Sequence, residues 1–388
     1  MRDYSKNILN LKLLTSCNLN NMQKFLTLPF YVKLACILIS IIALGYLAKI
    51  GDTIIVPLVL GLLFAMLLVP LSNFLEKRLK LPRSLAGMLC VLLFFGGLVT
   101  GLYLLASQLT MLKDDWPAFK DQILSGAESI QHWLNSQFGI KYNEQLDLLN
   151  KTASKSVDSG TIILGTALLS LSTTAIFLVF TFLYTFFILI YRRHIMRFML
   201  LLNAQQHHSV VLEIAAEVQY VVKRYLVGLL LQMLLVTTLV YIALAIIGVK
   251  YSLLLAIITG VFNVLPYIGI FSSMFIVALI TFATSSFTHV LFVIGTMSGI
   301  HLIDSNVIVP KVVGSKVKIN SLFAMMAIIV GELIWGISGM FLAIPLLAIM
   351  KIIMDRISEL KAWGFLLGEE ESDKKSDDKL LKVLSDRK

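Results

Sequence analysis

The chain has 388 residues, 58% of them hydrophobic and only 14% charged, with a mean hydropathy of +0.86. Soluble domains lie nearer a quarter charged and about half apolar, so this composition excludes a soluble globular enzyme, a disordered tail protein and a disulfide scaffold. The net charge of +10 does not call for nucleic acid as a partner, because basic residues held on cytoplasmic loops account for it.

The apolar residues come in long blocks. No Asp, Glu, Lys or Arg occurs from Leu34 to Ala48, Thr53 to Leu75, Ser84 to Leu112, Ser159 to Tyr191, Tyr225 to Val249, or Tyr251 to Ile303, and Ile319–Met350 carries only Glu332. About 20 apolar residues cross a hydrocarbon core of ~30 Å. Backbone polar groups must be paired in lipid, and blocks such as Leu164–Ile190 do not alternate as barrel strands do. The expected fold is all-α: a polytopic transmembrane helix bundle of about six full spans plus two broken or re-entrant hairpins, seven or eight segments in all, in the lipid bilayer. Both termini are expected in the cytoplasm.

In chain order, residues 1–30 form a basic cytoplasmic tail with no signal-peptide core or cleavage site. Residues 31–109 hold helices 1–3, separated by the turn Gly51–Asp52 and a basic inner loop with Lys77, Arg78, Lys80 and Arg83. Residues 110–159 are acidic on balance and carry Trp116, Phe119, Ile123, Ile130, Trp133 and Leu134 near helical spacing. They predict an outer helical insertion. Helix 4 occupies 160–191, with Arg192, Arg193 and Arg197 at its inner border, and 192–223 predicts a cytoplasmic amphipathic helix with Val210, Ile214, Val218 and Val221 on one face. Helix 5 begins the segment 224–354.

That segment is unusual. The charge-free run from Tyr251 is broken by Asn263, Pro266 and Gly269, so two half-length helices make a hairpin over 252–285. A helix follows at 286–304, then an inner loop at 305–320 with Lys311, Lys316 and Lys318. A second hairpin over 321–353 is interrupted at Gly331, Glu332, Gly336 and Gly339, with Pro345 as a further kink. The tail, 355–388, is densely charged with both signs.

Ionisable side chains inside apolar blocks are functional candidates by default. Glu332 is the clearest, as a proton or cation site, against the alternative of an interfacial position. Asp304 and Asn306 sit at the inner end of a helix, where capping competes with ligation. Asn263 stands where a broken helix frees backbone carbonyls, as at many transporter sites. His301, Gln232, His289 and Tyr267 are weaker, since a lone polar side chain in a bundle is more often an interhelical hydrogen bond. Cys17, Cys36 and Cys90 have no metal or redox spacing. No HExxH, Walker A or strand-linked GxGxxG is present. No metal and no cofactor is expected, and no enzyme.

Several motifs carry a resemblance. They are Gly248-Val-Lys-Tyr251, Phe262-Asn-Val-Leu-Pro-Tyr-Ile-Gly269, Asp304-Ser-Asn306-Val-Ile-Val-Pro310-Lys-Val-Val-Gly314, and Gly331-Glu-Leu-Ile-Trp-Gly336-Ile-Ser-Gly339-Met-Phe-Leu-Ala-Ile-Pro345. In order and spacing they strongly resemble the autoinducer-2 exporter family of bacterial membrane proteins. The resemblance implies a polytopic helical permease of the bacterial inner membrane with an outer helical insertion. It implies ion-gradient-driven efflux of a small polar solute or signal, or exchange of a monovalent cation for protons. A secondary transporter would hold its site between the two hairpins, near Asn263–Gly269 and Gly331–Gly339, with Pro266, Tyr267, Gly269, Pro310, Gly314, Gly331, Gly336, Gly339 and Pro345 as broken-helix turns. Leu229 stands where a Gln is common in the family. The competing expectation is a non-transporting channel or scaffold, a homo-oligomer held through the outer insertion and the small residues Gly96, Gly97 and Gly101.

Overall fold

The computed structural model describes residues 29–116, 143–265, 268–285, 287–312 and 319–369, with side chains placed for most of them. The described residues are helical and contain no strand. Seven of their helices are long and apolar enough to cross a membrane. The chain divides into two units at Asp52. The first contains α1 (Phe30–Ile50), about 32 Å long at 1.5 Å per residue. It ends where the Gly51 N–H donates to the Leu47 carbonyl at 2.9 Å.

The second unit runs from Thr53 and opens with α2 (Asp52–Arg78), but for its first residue, and α3 (Arg83–Asp114). The next helix, α4 (Asn143–Leu201), runs 59 residues without a break. The spans expected at 160–191 and 192–201 are therefore one helix, and the break falls at 202–207, where the Asn203 side chain donates to the Met199 carbonyl. Beyond it α5 (His208–Ile247) carries the amphipathic segment straight into the apolar one. No proline interrupts these 40 residues, so the helix has no reason to stop at the change from polar to apolar.

The two expected hairpins are present. The first joins α6 (Ser252–Phe262) to α7 (Ile268–Thr284). With 11 residues, α6 is about 16 Å long, half a membrane. The backbone of Gly269 lies against the Phe262 carbonyl, where any Cβ would collide. Then come α8 (Phe287–Ile303), a π-helical turn at Asp304–Ile308, and the short α9 (Val309–Val312). Pro310 lies inside α9, and the irregularity is the wide turn before it. A proline ring excludes the carbonyl four residues back, and the π turn opens the helix at that point.

The second hairpin lies within α10 (Ser321–Arg356), whose one non-helical residue is Gly336 at φ 60°, ψ −140°. This is a left-handed conformation that glycine adopts freely. Gly331 and Gly339 touch backbone to backbone across the turn, each filling the space a Cβ on the other would need. Eight residues of straight helix would separate them by about 12 Å, so the contact establishes the reversal. Pro345 lies inside α10, and the residue whose backbone leaves the helical region is Gly336. Pro266, Tyr267 and Gly314 lie outside the described residues.

A single helix, α5, joins the two main cores. Val218, Val222, Tyr225, Leu226 and Leu229 pack with α2, α10 and the terminal helix α11 (Lys361–Leu367). Val236, Val240 and Leu244 pack with α6, α7 and α8. A third cluster joins α2, α3 and α4 through Leu68, Cys90, Val91 and Leu189. The hairpin tips meet through apolar residues, Leu265 of the first against Ile328, Met340 and Ala343 of the second.

Candidate functional site

One carboxylate is buried. Asp304 is 4% exposed, the only Asp, Glu, Lys or Arg in the core among the described residues. Leaving such a group bare in an apolar interior is prohibitive, and the fold supplies donors from two other elements. Gln232 of α5 lies across both carboxylate oxygens, its Nε2 donating at 3.2 and 3.1 Å. Asn263, at the end of α6, donates from Nδ2 to Oδ2 at 3.0 Å. No cationic side chain among the described residues pairs with Asp304.

Beside the carboxylate is a cavity of about 20 Å³. Asp304, Asn263, Thr259, Ser273 and His301 form its polar wall, and Val236, Val240 and Met297 part of the apolar one. The Thr259 hydroxyl donates to the Leu255 carbonyl at 2.8 Å and the Ser273 hydroxyl to the Ile270 carbonyl at 3.0 Å. Their protons are thereby committed to backbone, which leaves the oxygen lone pairs as acceptors. A space of this size holds one water-sized species. The broken helix is what makes the site: an unbroken α6 would carry Asn263 onward as an ordinary helical residue rather than at a tip facing the π turn.

The four expected polar candidates therefore divide. Asn263 and Asp304 are brought together. Asn306 is exposed and donates to its own helix, to the Leu302 carbonyl at 2.9 Å. Glu332 is exposed on the first limb of the second hairpin and takes no hydrogen bond or ion pair from a described residue. Gly269, Gly331, Gly336 and Gly339 shape the two turns without lining the cavity. Gln232, expected to be a simple interhelical hydrogen bond, is the principal support of Asp304. The only sequence sign of it was a single amide in the charge-free run from Tyr225 to Val249.

Residues 37–359 match the family described as AI-2E family transporter. The chain belongs to the AI-2E family. The similar proteins YrrI and YueF of Bacillus subtilis (strain 168) are 27% identical over 78% of this chain and 86% of YrrI, and 25% identical over 77% of this chain and 83% of YueF. YhhT of Escherichia coli (strain K12) is 24% identical over 81% of this chain and 88% of its own length. Each is named "Putative transport protein". This member of the AI-2E family is thus a multi-pass membrane transport protein.

At one end of the AI-2E protein a polar clasp fixes the entrance to the first hairpin. Asp115, just past α3, pairs with Lys250 at 2.8 Å and accepts from the Tyr251 hydroxyl. Tyr251 opens α6 at φ 63°, a left-handed conformation uncommon for a bulky residue. The hydrogen bond from Lys250, then that from Tyr251, holds the Asp115 carboxyl below its usual range. The same pair holds the Lys250 ammonium above its own. At the opposite end, Arg192 donates to Glu76 at 2.8 Å and to Asn73 at 2.9 Å, tying α4 to α2.

Proposed function

We propose that this chain is an ion-gradient-driven secondary transporter of the bacterial inner membrane, with Asp304 as the group that takes up and releases the coupling ion. The observation that carries this reading is a buried carboxylate held by two neutral amides, with no cationic partner among the described residues and a one-water cavity at its face. A proton placed on the carboxylate, or a monovalent cation placed in the cavity, supplies the charge that the site lacks. The cavity is too small for an organic solute. It serves the driving ion in either form of the activity, efflux of a small polar solute or exchange of a cation for protons.

Coupling follows from what Asp304 holds. Hydrogen bonds to an ionised acceptor are roughly twice as strong as neutral ones. Protonating Asp304 removes the charge that Asn263 and Gln232 donate to, and the tip of the first hairpin loses its polar tether. Deprotonation restores it. Glu332, exposed and without donors among the described residues, has no comparable means of moving the chain.

The test is collapse of a proton gradient in everted membrane vesicles, followed with a pH dye on addition of sodium, lithium or potassium. Asp304→Asn is expected to reduce the response at least tenfold in protein that remains folded in the membrane, whereas Glu332→Gln keeps it. Wild-type response in Asp304→Asn overturns the assignment. Flux indifferent to every ion gradient overturns secondary transport in favour of a channel.

A further inference from the structure

The basic end of the bundle carries a second binding feature, distant in sequence from the hairpins. Four successive positions of α4, Tyr191-Arg192-Arg193-His194, are followed by Arg197. Arg192 turns inward to Glu76, Asn73 and Ser72. The other cations do not. Arg193, His194 and Arg197 are exposed and take no hydrogen bond or ion pair from a described residue. Arg83, the first residue of α3, reaches Glu76 only at 3.9 Å. These four side chains, with Ile190 and Tyr191, line one open groove of about 450 Å³. The first turn of α3 beside it has no side-chain cap, and the positive end of a helix dipole favours an anion there.

The surroundings of the groove decide what kind of anion fits. On one side α4 presents exposed aromatic residues, Phe180, Phe187 and Tyr191, the last two stacked with centroids 6.3 Å apart. On the other side Phe198, Leu201 and Leu202 are exposed, Leu201 at 76%. A free phosphate or a soluble metabolite has no use for apolar surface flanking its charge. A molecule with an anionic head and a hydrocarbon body does. Arginine suits the head, because its planar fork pairs with phosphate oxygens two at a time.

The geometry points to a binding site for an anionic phospholipid, its phosphodiester head held by Arg83, Arg193, His194 and Arg197 and its acyl chains along the aromatic face of α4. Basic pockets between membrane helices are suited to such headgroups. The site joins the start of α3 to α4, and a bound lipid adds a bridge beside the Arg192–Glu76 pair. It is independent of how Asp304 works.

The test is native mass spectrometry of the full-length protein released from detergent, with phosphatidylglycerol, phosphatidylcholine or inorganic phosphate added. Wild type is expected to retain phosphatidylglycerol at least tenfold more tightly than phosphatidylcholine. The double variant Arg193→Gln/Arg197→Gln is expected to lose that preference. The lysine pair, Arg193→Lys/Arg197→Lys, keeps the charge without the fork, gives an intermediate affinity, and serves if the glutamine pair does not fold. Equal retention of the two lipids by wild type overturns the site. So does displacement of the lipid by millimolar inorganic phosphate, which would make free phosphate the ligand. Equal loss in Lys77→Gln/Arg78→Gln, at the separate groove on α2, overturns it in favour of general attraction to the basic end.

Discussion

The two hairpins solve one problem, reversing a chain within an apolar bundle, with different chemistry. The first reverses through an irregular turn whose Asn263 is spent on a buried carboxylate, and a polar clasp holds its entrance. The second reverses at one glycine in a left-handed conformation, and its limbs are locked by backbone contact between Gly331 and Gly339. Its start is capped by Asn320, which accepts from the Leu322 N–H at 2.9 Å, and its end is pinned where Arg356 donates to Glu213 and Glu217. One hairpin is held by bonds that depend on charge, the other by close packing. The difference teaches that of two carboxylates placed in or beside apolar blocks, Asp304 is the one to which the fold brings donors.

The largest effect expected from breaking that contrast is in the second hairpin. Gly339→Ala forces a methyl into the Gly331 carbonyl and is expected to cost about 3 kcal/mol or more, read as a sharp fall in Tm or loss of folded protein in detergent. Gly336→Ala keeps the space but not the conformation, and about 1–3 kcal/mol is expected. Beside the first hairpin, Gln232→Leu keeps the bulk and leaves Asp304 with Asn263 as its remaining donor, with an expected loss of about 1–3 kcal/mol. Combining it with Asp304→Asn should recover part of that loss, since no unmet charge remains. A purely additive double variant would break the contrast. Glu332→Gln is expected to change stability by less than about 0.5 kcal/mol; a large loss would show that the second hairpin also rests on charge.

The smallest effect concerns the Asp115–Lys250 clasp and has a defined pH window. The Asp115 carboxyl is lowered from 3.8 when folded, so its contribution is complete above that value and disappears as pH falls through the lower folded value. The Lys250 ammonium is raised from 10.5, so its contribution is complete below that value and disappears as pH rises through the higher folded one. The Tm of wild type should exceed that of Asp115→Asn by a constant, small margin between pH 5 and 9, and the margin should close in strong acid. A margin that changes across the neutral range would mean that another group sets it.

Much of the architecture was legible because lipid imposes it. Blocks without charge had to be helices, and a charge-free run of 53 residues broken at Asn263 had to be more than one. Gly331 and Gly339 were legible as a break, though their mutual contact was not, since the pairing of two glycines depends on the angle set by Gly336. The site was half legible. Asn263 and Asp304 stood out as polar groups beside helix breaks, yet nothing local says which polar groups meet. Gln232 lies 72 residues from Asp304, and that contact is made by packing. Glu332 drew attention by being charged, a property independent of the direction it faces. Pro345 and four neighbouring glycine or charge breaks were all legible in the stretch from Gly331, but nothing local says that the non-helical backbone falls at Gly336.

The position of α5 between the two cores bears on how the chain is assembled during synthesis. Its first half packs with α10 and its second half with α6 and α7, and it precedes all three in the chain. A limb of 11 residues has no stable place alone in a bilayer, because it is too short to cross and leaves polar backbone unpaired at its end. When each hairpin leaves the ribosome, the wall it needs has already been made. Exchanging the order of these segments, with every final contact preserved, would present the hairpins to the membrane before their partner and expose them to misassembly.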